Sequence, residues 1–318
     1  MIRFEHVSKQ FPNGTFAVKS LDFEIKKGEF FVLIGPSGSG KTTTLKMINR
    51  LIDLSKGRVW INGRKISDYD INELRWNIGY VLQQIALFPH MTIAENIAVV
   101  PELINWDKEK IADRVDELLK MADLDPKEYR NRKPSELSGG QQQRVGVIRA
   151  LAADPEIILM DEPFSALDPF SREKLQDDTL EIQRNLKKTI VFVTHDMQEA
   201  LKLGDRICLM KEGEIVQIGT PHEFITNPVN DFVRDFVGSR HLTIKLNELI
   251  TPVQAGQEIS SDTKTISLLT RVDEAVEYLA MFEQISVEDN GKVIGIIHRQ
   301  HALKVMSHYL REGGQAHE

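Results

Sequence analysis

Three short stretches carry residue types whose spacing suits chemistry on a polyphosphate. The first is Gly35-Pro36-Ser37-Gly38-Ser39-Gly40-Lys41-Thr42, which fits G-x-x-x-x-G-K-[ST] at every fixed position. Its glycines let the backbone curl so that successive N–H groups face a phosphate, and a following helix N-terminus adds partial positive charge. Lys41 is expected to reach the β- and γ-phosphates and the Thr42 hydroxyl to ligate Mg²⁺, with Thr43 completing the predicted nucleotide-binding set. The second stretch is Ile157-Ile158-Leu159-Met160-Asp161-Glu162, an apolar run that delivers two carboxylates at its end. In open parallel sheets that end is where ligands bind. Asp161 is expected to hold Mg²⁺ directly or through water, and Glu162 to polarise an attacking water. The third is Leu137-Ser138-Gly139-Gly140-Gln141. A serine and glycine N–H groups at a helix start make a second phosphate cradle, about a hundred residues from the first.

These stretches need elements to hold them. Glu29-Phe30-Phe31-Val32-Leu33-Ile34 reads as a buried strand before the first loop, and Leu45, Ile48, Leu51 and Ile52 recur at helical spacing after it. A glycine-rich turn with a chance lysine does not explain that setting. Arg3–Val7 and Leu21–Ile25 alternate as strands around the turn Pro12-Asn13-Gly14. Gly57–Gly63 and Ile78–Gln83 add strands. From about Ile93 to Leu151 the pattern is helical, with Ile111, Val115, Leu118 and Leu119 in one stripe. Strands return at 156–161 and at 189–195, separated by a charged helix around Ser171–Leu186, and Arg206–Met210 with Ile215–Ile218 form a hairpin. Strands alternating with helices predict an α/β fold with a parallel core sheet.

The chain has 318 residues, beyond the ~250–300 at which a single core stops growing, so a full domain and a smaller one are expected. Its formal charge of −7 argues against wholesale nucleic-acid binding. The one cysteine, Cys208, sits in an apolar run and reads as a small buried hydrophobe, which fits a reducing compartment. No stretch approaches the ~18 apolar residues of a membrane span, and Met1–His6 has no signal-peptide core. A cytosolic protein that meets a membrane through a partner is expected.

The pentapeptide 137–141, continued by Gln142-Gln143-Arg144-Val145, resembles the signature of the ATP-binding-cassette (ABC) ATPases, and the other motifs follow in that family's order. The resemblance covers roughly residues 2–236 and implies a P-loop ABC cassette: parallel core sheet, antiparallel β subdomain, and a helical subdomain at about 86–152. It implies ATP and Mg²⁺ as ligands and a head-to-tail homodimer, in which Ser138, Gly139, Gly140 and Gln141 of one copy complete the loop site of the other. Gln83 matches the glutamine that senses the γ-phosphate and Mg²⁺, with Gln84 one residue away as its rival. Ser165-Ala166-Leu167-Asp168 matches the loop that crosses the dimer interface. His195 matches the histidine that contacts the γ-phosphate, and Phe11 the ring that stacks on adenine, with Phe16 as a competitor. The implied reaction is ATP hydrolysis by Lys41, Glu162, His195 and Gln83.

The family's importer subunits dock on integral membrane permeases, at the cytoplasmic face of the cell membrane, and serve an extracytoplasmic solute-binding protein indirectly. Ala86–Thr92, just after Gln83, is a candidate receiving surface. The rival class is a soluble ABC ATPase acting on ribosomes or DNA, which commonly carries two cassettes or long coiled-coil insertions. After a linker at 237–264, residues 265–310 resemble a cystathionine-β-synthase (CBS) motif, a small α+β regulatory domain with a hairpin turn at Asn290-Gly291. A remnant or linker lies at Val253–Thr263 and a disordered tail at 311–318. Such motifs usually pair, so two chains are expected to join single copies, with a regulatory nucleotide as the candidate ligand. Cassette plus CBS sequence resembles the ATPase subunits of importers for glycine betaine, carnitine and choline. A methionine-type amino-acid importer is the alternative.

Overall fold

The computed structural model describes residues 1–165, 167–238, 246–252, 263–268, 270, 272–289 and 292–312. The chain divides into two compact units, Met1–Arg234 and Asp235–Glu318.

Among its described residues the first unit holds ten strands: β1 Ile2–Gln10, β2 Phe16–Ile25, β3 Phe30–Ile34, β4 Lys56–Ile61, β5 Arg64–Lys65, β6 Ile78–Val81, β7 Ile157–Asp161, β8 Thr189–Thr194, β9 Arg206–Lys211 and β10 Glu214–Gly219. They make two sheets. One is antiparallel, in the order β2-β1-β4-β5; the other runs β10-β9-β3-β8-β7-β6. Within the second, β6, β7, β8, β3 and β9 pair in parallel in that order, and β10 joins β9 antiparallel. Every residue of β3, β7 and β8 is buried. That explains their unbroken apolar sequences, because a parallel sheet covered on both faces has no solvent side to mark with polar residues.

Register brings the chemistry-bearing ends together. Ile34 pairs with Thr194, Asp161 with Val193 and Val81 with Met160. The residues that follow or end these strands, Gly35, Asp161, His195 and Gln83, therefore leave one edge of the sheet. Between β6 and β7 the chain is helical, with Ile93–Leu103, Lys108–Met121 and Gly139–Ala150 as its main helices.

Two sequence expectations shift here. The helix after the phosphate loop spans Lys41–Ile48 and stops short of Leu51 and Ile52, because Arg50 takes a left-handed φ of 53°. Gln83 lies past the end of β6 rather than within it. Cys208 is fully buried in β9, and burial pushes its thiol up to about 12.

The second unit contains β11 Thr251–Pro252, β12 Lys264–Ser267, β13 Gln284–Asp289 and β14 Lys292–His298, in the order β11-β14-β13-β12. Strand β12 runs parallel to β13, and β13 antiparallel to β14. Helices Val272–Met281 and Arg299–Glu312 accompany this sheet, and Leu279, Ile285, Val287, Ile297 and Ala302 share its core. The tail expected at 311–318 begins later, because Arg311 and Glu312 still belong to the helix Arg299–Glu312; its remainder at 313–318, the expected turn at Asn290-Gly291 and most of the 239–262 segment lie outside the described residues.

Candidate active site

The helix Lys41–Ile48 starts at Gly40, whose φ of 100° is left-handed. A Cβ on Gly40 would stand 2.3 Å from the carbonyl oxygen of Ala17, and one on Gly35 would stand 2.1 Å from that of Met210. The loop is thus clasped between β2 of one sheet and β9 of the other, and only glycine fits at either position. Lys41 is buried, and its Nζ donates to the carbonyl oxygens of Gly35 at 2.8 Å and Pro36 at 2.9 Å. Burial holds its pKa below the ordinary lysine value, while the carboxylates of Glu162 and Asp161 act in the opposite direction.

Asp161 ends β7 and is buried. Its Oδ1 accepts from Thr42 Oγ1 at 2.8 Å, and its Oδ2 accepts from the Tyr80 hydroxyl at 3.3 Å. Lys46 Nζ lies 3.9 Å from the same oxygen. Burial first, and then the Asp161 charge and hydrogen bond, raise the Tyr80 pKa, so the phenol stays a donor.

Glu162 adopts φ 46°, a left-handed conformation uncommon for a residue with a Cβ. Its N–H donates to the Val193 carbonyl at 3.0 Å, and its own carbonyl accepts from Ser165 N at 3.3 Å and Ser165 Oγ at 3.0 Å. The turn aims the side chain between two neighbours. Oε2 accepts from Gln83 Nε2 at 3.2 Å and lies 3.3 Å from His195 Nδ1. Gln83 is therefore the member of the Gln83-Gln84 pair that reaches the acid.

Ser138 caps the helix Gly139–Ala150 in a reciprocal box: Gln141 N donates to Ser138 Oγ at 3.3 Å, and Ser138 N donates to Gln141 Oε1 at 2.9 Å. A Cβ on Gly139 would meet nothing within 4 Å. Asp168 caps the helix Pro169–Leu186 by accepting from Ser171 N at 3.0 Å, and its hydrogen bonds to Ser171 hold its pKa below the usual carboxylate value. Phe11 and Phe16 flank the β1–β2 connection and are 38% and 46% exposed, so neither belongs to the core.

Lys41, Thr42, Asp161, Glu162, Gln83 and His195 thus gather at one sheet edge, beside a loop shaped for phosphate. Ser138–Gln141, Asp168 and Phe11 lie on other elements and make no bond to that cluster among the described residues.

Residues 18–165 match the family described as ABC transporter. The carnitine transport ATP-binding protein OpuCA of Listeria monocytogenes is 50% identical over 92% of this chain and 74% of its own length. This chain belongs to the ABC transporter family. It is also 60% identical to the glycine betaine/carnitine/choline transport ATP-binding protein OpuCA of Bacillus subtilis, over 76% of this chain and 63% of that protein. The osmoprotectant import ATP-binding protein OsmV of Salmonella typhimurium is 48% identical over 95% of this chain and 80% of its own. Among solved structures, the dimeric ATP-binding cassette MJ0796 in a post-hydrolysis state, bound to ADP and Pi, is 38% identical with a TM-score of 0.63, covering 70% of this chain and 99% of that one.

Tyr80 and Lys46 escaped the motif reading of this ABC cassette. Both reach Asp161, yet neither lies in a motif. The available signal was periodic: Tyr80 is the half-buried polar ring in a short buried strand, and Lys46 follows Thr42 by four residues, about one helical turn.

Proposed function

We propose that this chain is the ATP-hydrolysing subunit of an importer for quaternary-amine osmoprotectants such as glycine betaine, carnitine or choline. The observation that carries the solute class is the 48–60% identity, across three quarters or more of the chain, to transport ATP-binding proteins for glycine betaine/carnitine/choline, for carnitine and for osmoprotectants.

In this reading Lys41 leaves the Gly35 and Pro36 carbonyls for the β- and γ-phosphates of ATP, and the loop N–H groups hold the rest of the chain of phosphates. The oxygen donors of Thr42, Asp161 and Gln83 suit Mg²⁺, a hard cation that takes few protein ligands and keeps phosphate and water. Among the described residues no group of three or more His, Cys, Asp and Glu competes for it. When bound, Mg²⁺ neutralises phosphate charge. Glu162 accepts the proton of the attacking water, Gln83 and His195 fix its carboxylate, and His195 also faces the γ-phosphate. Phe11, 38% exposed with Lys9 Nζ 5.4 Å from its ring centroid, is read as the ring that stacks on adenine.

A second copy supplies Ser138–Gln141 to the same nucleotide, and Asp168 lies at the seam. The open space at Gly139 supports this, because no group of its own chain requires a glycine there. Among the described residues no helix is long and apolar enough to cross a membrane; in this reading the chain works with integral membrane permease subunits. A groove of about 430 Å³, lined by Leu82, Ala86, Phe88, Val99, Val100 and other side chains, is mainly apolar and begins one residue from Gln83. We assign it to the permease. The second unit, in which β12, a helix, β13, β14 and a second helix follow one another after the short β11, is read as a CBS-like regulatory module at the cytoplasmic side, pairing across the homodimer with a nucleotide as candidate ligand. Deletion of 242–318 should then weaken self-association or regulation.

The deciding experiment is reconstitution with the permease encoded beside this chain. ATP hydrolysis stimulated by betaines, carnitine or choline supports the proposal. Stimulation by methionine or another amino acid alone overturns the solute class.

A further inference from the structure

Behind Glu162 and His195 lies a cavity of about 40 Å³, lined in part by Ser165, Arg172, Thr194 and Glu199. A water needs about 10–15 Å³ and two or more polar partners, so the space admits more than one. Glu199 is the most buried acid on its wall, 7% exposed, in the first turn of the helix Met197–Leu203. It accepts from Thr194 Oγ1 at 2.5 Å and from Gln176 Nε2 at 3.5 Å. Thr194 directly precedes His195, and the same Thr194 hydroxyl accepts the N–H of Asp196 at 2.9 Å. One hydroxyl, oriented by Glu199, thereby holds the backbone on both sides of the histidine.

A second lining residue leads elsewhere. Arg172 donates through a terminal nitrogen to the Leu167 carbonyl at 3.1 Å, one residue before Asp168. Its Nε is buried with no protein hydrogen-bond partner. A buried guanidinium N–H on a side chain lining a polar cavity is costly unless water satisfies it. Burial holds the Glu199 carboxyl above its usual range, with the Thr194 hydrogen bond acting against it, so water and the Arg172 charge at this wall bear on an acid that the proposed chemistry does not otherwise use.

We propose that Glu199 is a positioning residue of the hydrolytic site: by orienting Thr194, and by sharing cavity water with Arg172, it holds His195 and the Leu167-Asp168 segment as one piece. The inference rests on the reading of His195 as a γ-phosphate contact. It predicts that loss of Glu199 misplaces the histidine without touching the nucleotide-binding loop.

The test compares ATP binding and turnover of the full chain in five variants: His195→Ala, Glu199→Ala, Glu199→Gln, Thr194→Val and the Glu199→Ala/His195→Ala double. Glu199→Ala should lower kcat roughly tenfold or more with KM nearly unchanged, as misplacement of a reacting group does. Glu199→Gln, which keeps an acceptor for Thr194, should recover most of that loss. Thr194→Val should reproduce it, and the double variant should be no slower than His195→Ala alone. If His195→Ala loses its rate but Glu199→Ala and Thr194→Val keep theirs, this inference fails and the functional reading stands. If His195→Ala hydrolyses at the native rate, the reading of His195 fails and takes the inference with it. Should Glu199→Ala not fold, Thr194→Val decides: a native kcat overturns the proposal.

Discussion

Thr42 Oγ1 donates a hydrogen bond to Asp161 Oδ1 at 2.8 Å, joining residues 119 positions apart in sequence. The bond ties the start of the helix after the phosphate loop to the end of β7, so the two oxygens stand ready side by side before any nucleotide arrives. Thr42→Val removes the donor at constant volume and leaves a buried carboxylate with one partner fewer. Stability should fall by about 1–3 kcal/mol, read by urea unfolding, and the Mg²⁺ concentration giving half-maximal hydrolysis should rise.

Glu162→Gln keeps the shape of the side chain and one acceptor oxygen for Gln83 but cannot take a proton. Turnover should drop about 10²–10⁴-fold while ATP binding persists. Filter binding beside a phosphate-release assay separates these two quantities, and native turnover in the assembled complex would remove Glu162 from its role.

Gly40→Ala and Gly63→Ala form a controlled pair. Both positions have left-handed φ, 100° and 77°, but a Cβ at Gly63 meets nothing within 4 Å whereas one at Gly40 meets the Ala17 carbonyl at 2.3 Å. Gly63→Ala should cost about 1–2 kcal/mol from conformation alone. Gly40→Ala adds a collision with backbone and should cost about 2–5 kcal/mol. Equal losses in thermal unfolding would contradict the clasped-loop geometry.

Glu199 gives stability a pH dependence of known sign. Burial raises its folded pKa above the ordinary 4.5; Asp196 pushes the same way, and the Thr194 hydrogen bond, Arg172 and His195 push back. Between 4.5 and the raised value the folded chain binds more protons than the unfolded one, so this group's contribution falls as pH rises through that window. Glu199→Gln should flatten that decline. Denaturant midpoints measured from pH 5 upward in both chains check it.

Phe88 is 41% exposed on the groove beside Gln83, and its backbone is gripped by buried Asn96, which accepts from Phe88 N at 2.8 Å. Phe88→Asp should weaken permease-stimulated hydrolysis by roughly 1–2 kcal/mol of lost apolar burial, about ten-fold, while ATP affinity of the chain is kept. Equal stimulation of both chains would move the docking surface elsewhere.

Much of this arrangement is legible in sequence, because apolar runs followed by glycine, acid or histidine mark the ends of parallel strands. Ile34-Gly35, Met160-Asp161 and Thr194-His195 announce a shared edge before any strand order is known. What the sequence withholds is lateral. Nothing in Tyr80 or Lys46 says that they turn towards Asp161, since that depends on β6 pairing with β7 and on helix rotation. Arg172 and Glu199 read as ordinary helix-surface charges until packing buries the groups between Thr194 and Leu167. The end of the first helix is misread for a local reason: Leu51 and Ile52 continue the apolar spacing past Arg50, and the period alone cannot register a left-handed residue.

Cys208 lies in a central strand at 0% exposure with its thiol pushed up to about 12, so it is closed to alkylating probes. The natural sequence therefore serves as a silent background for site-directed labelling. A single cysteine introduced at exposed Asn13 or Ser135 would be the sole reactive thiol per copy. Spin labels or fluorophores attached there could follow two copies approaching and separating through a catalytic cycle, with no native thiol to remove first.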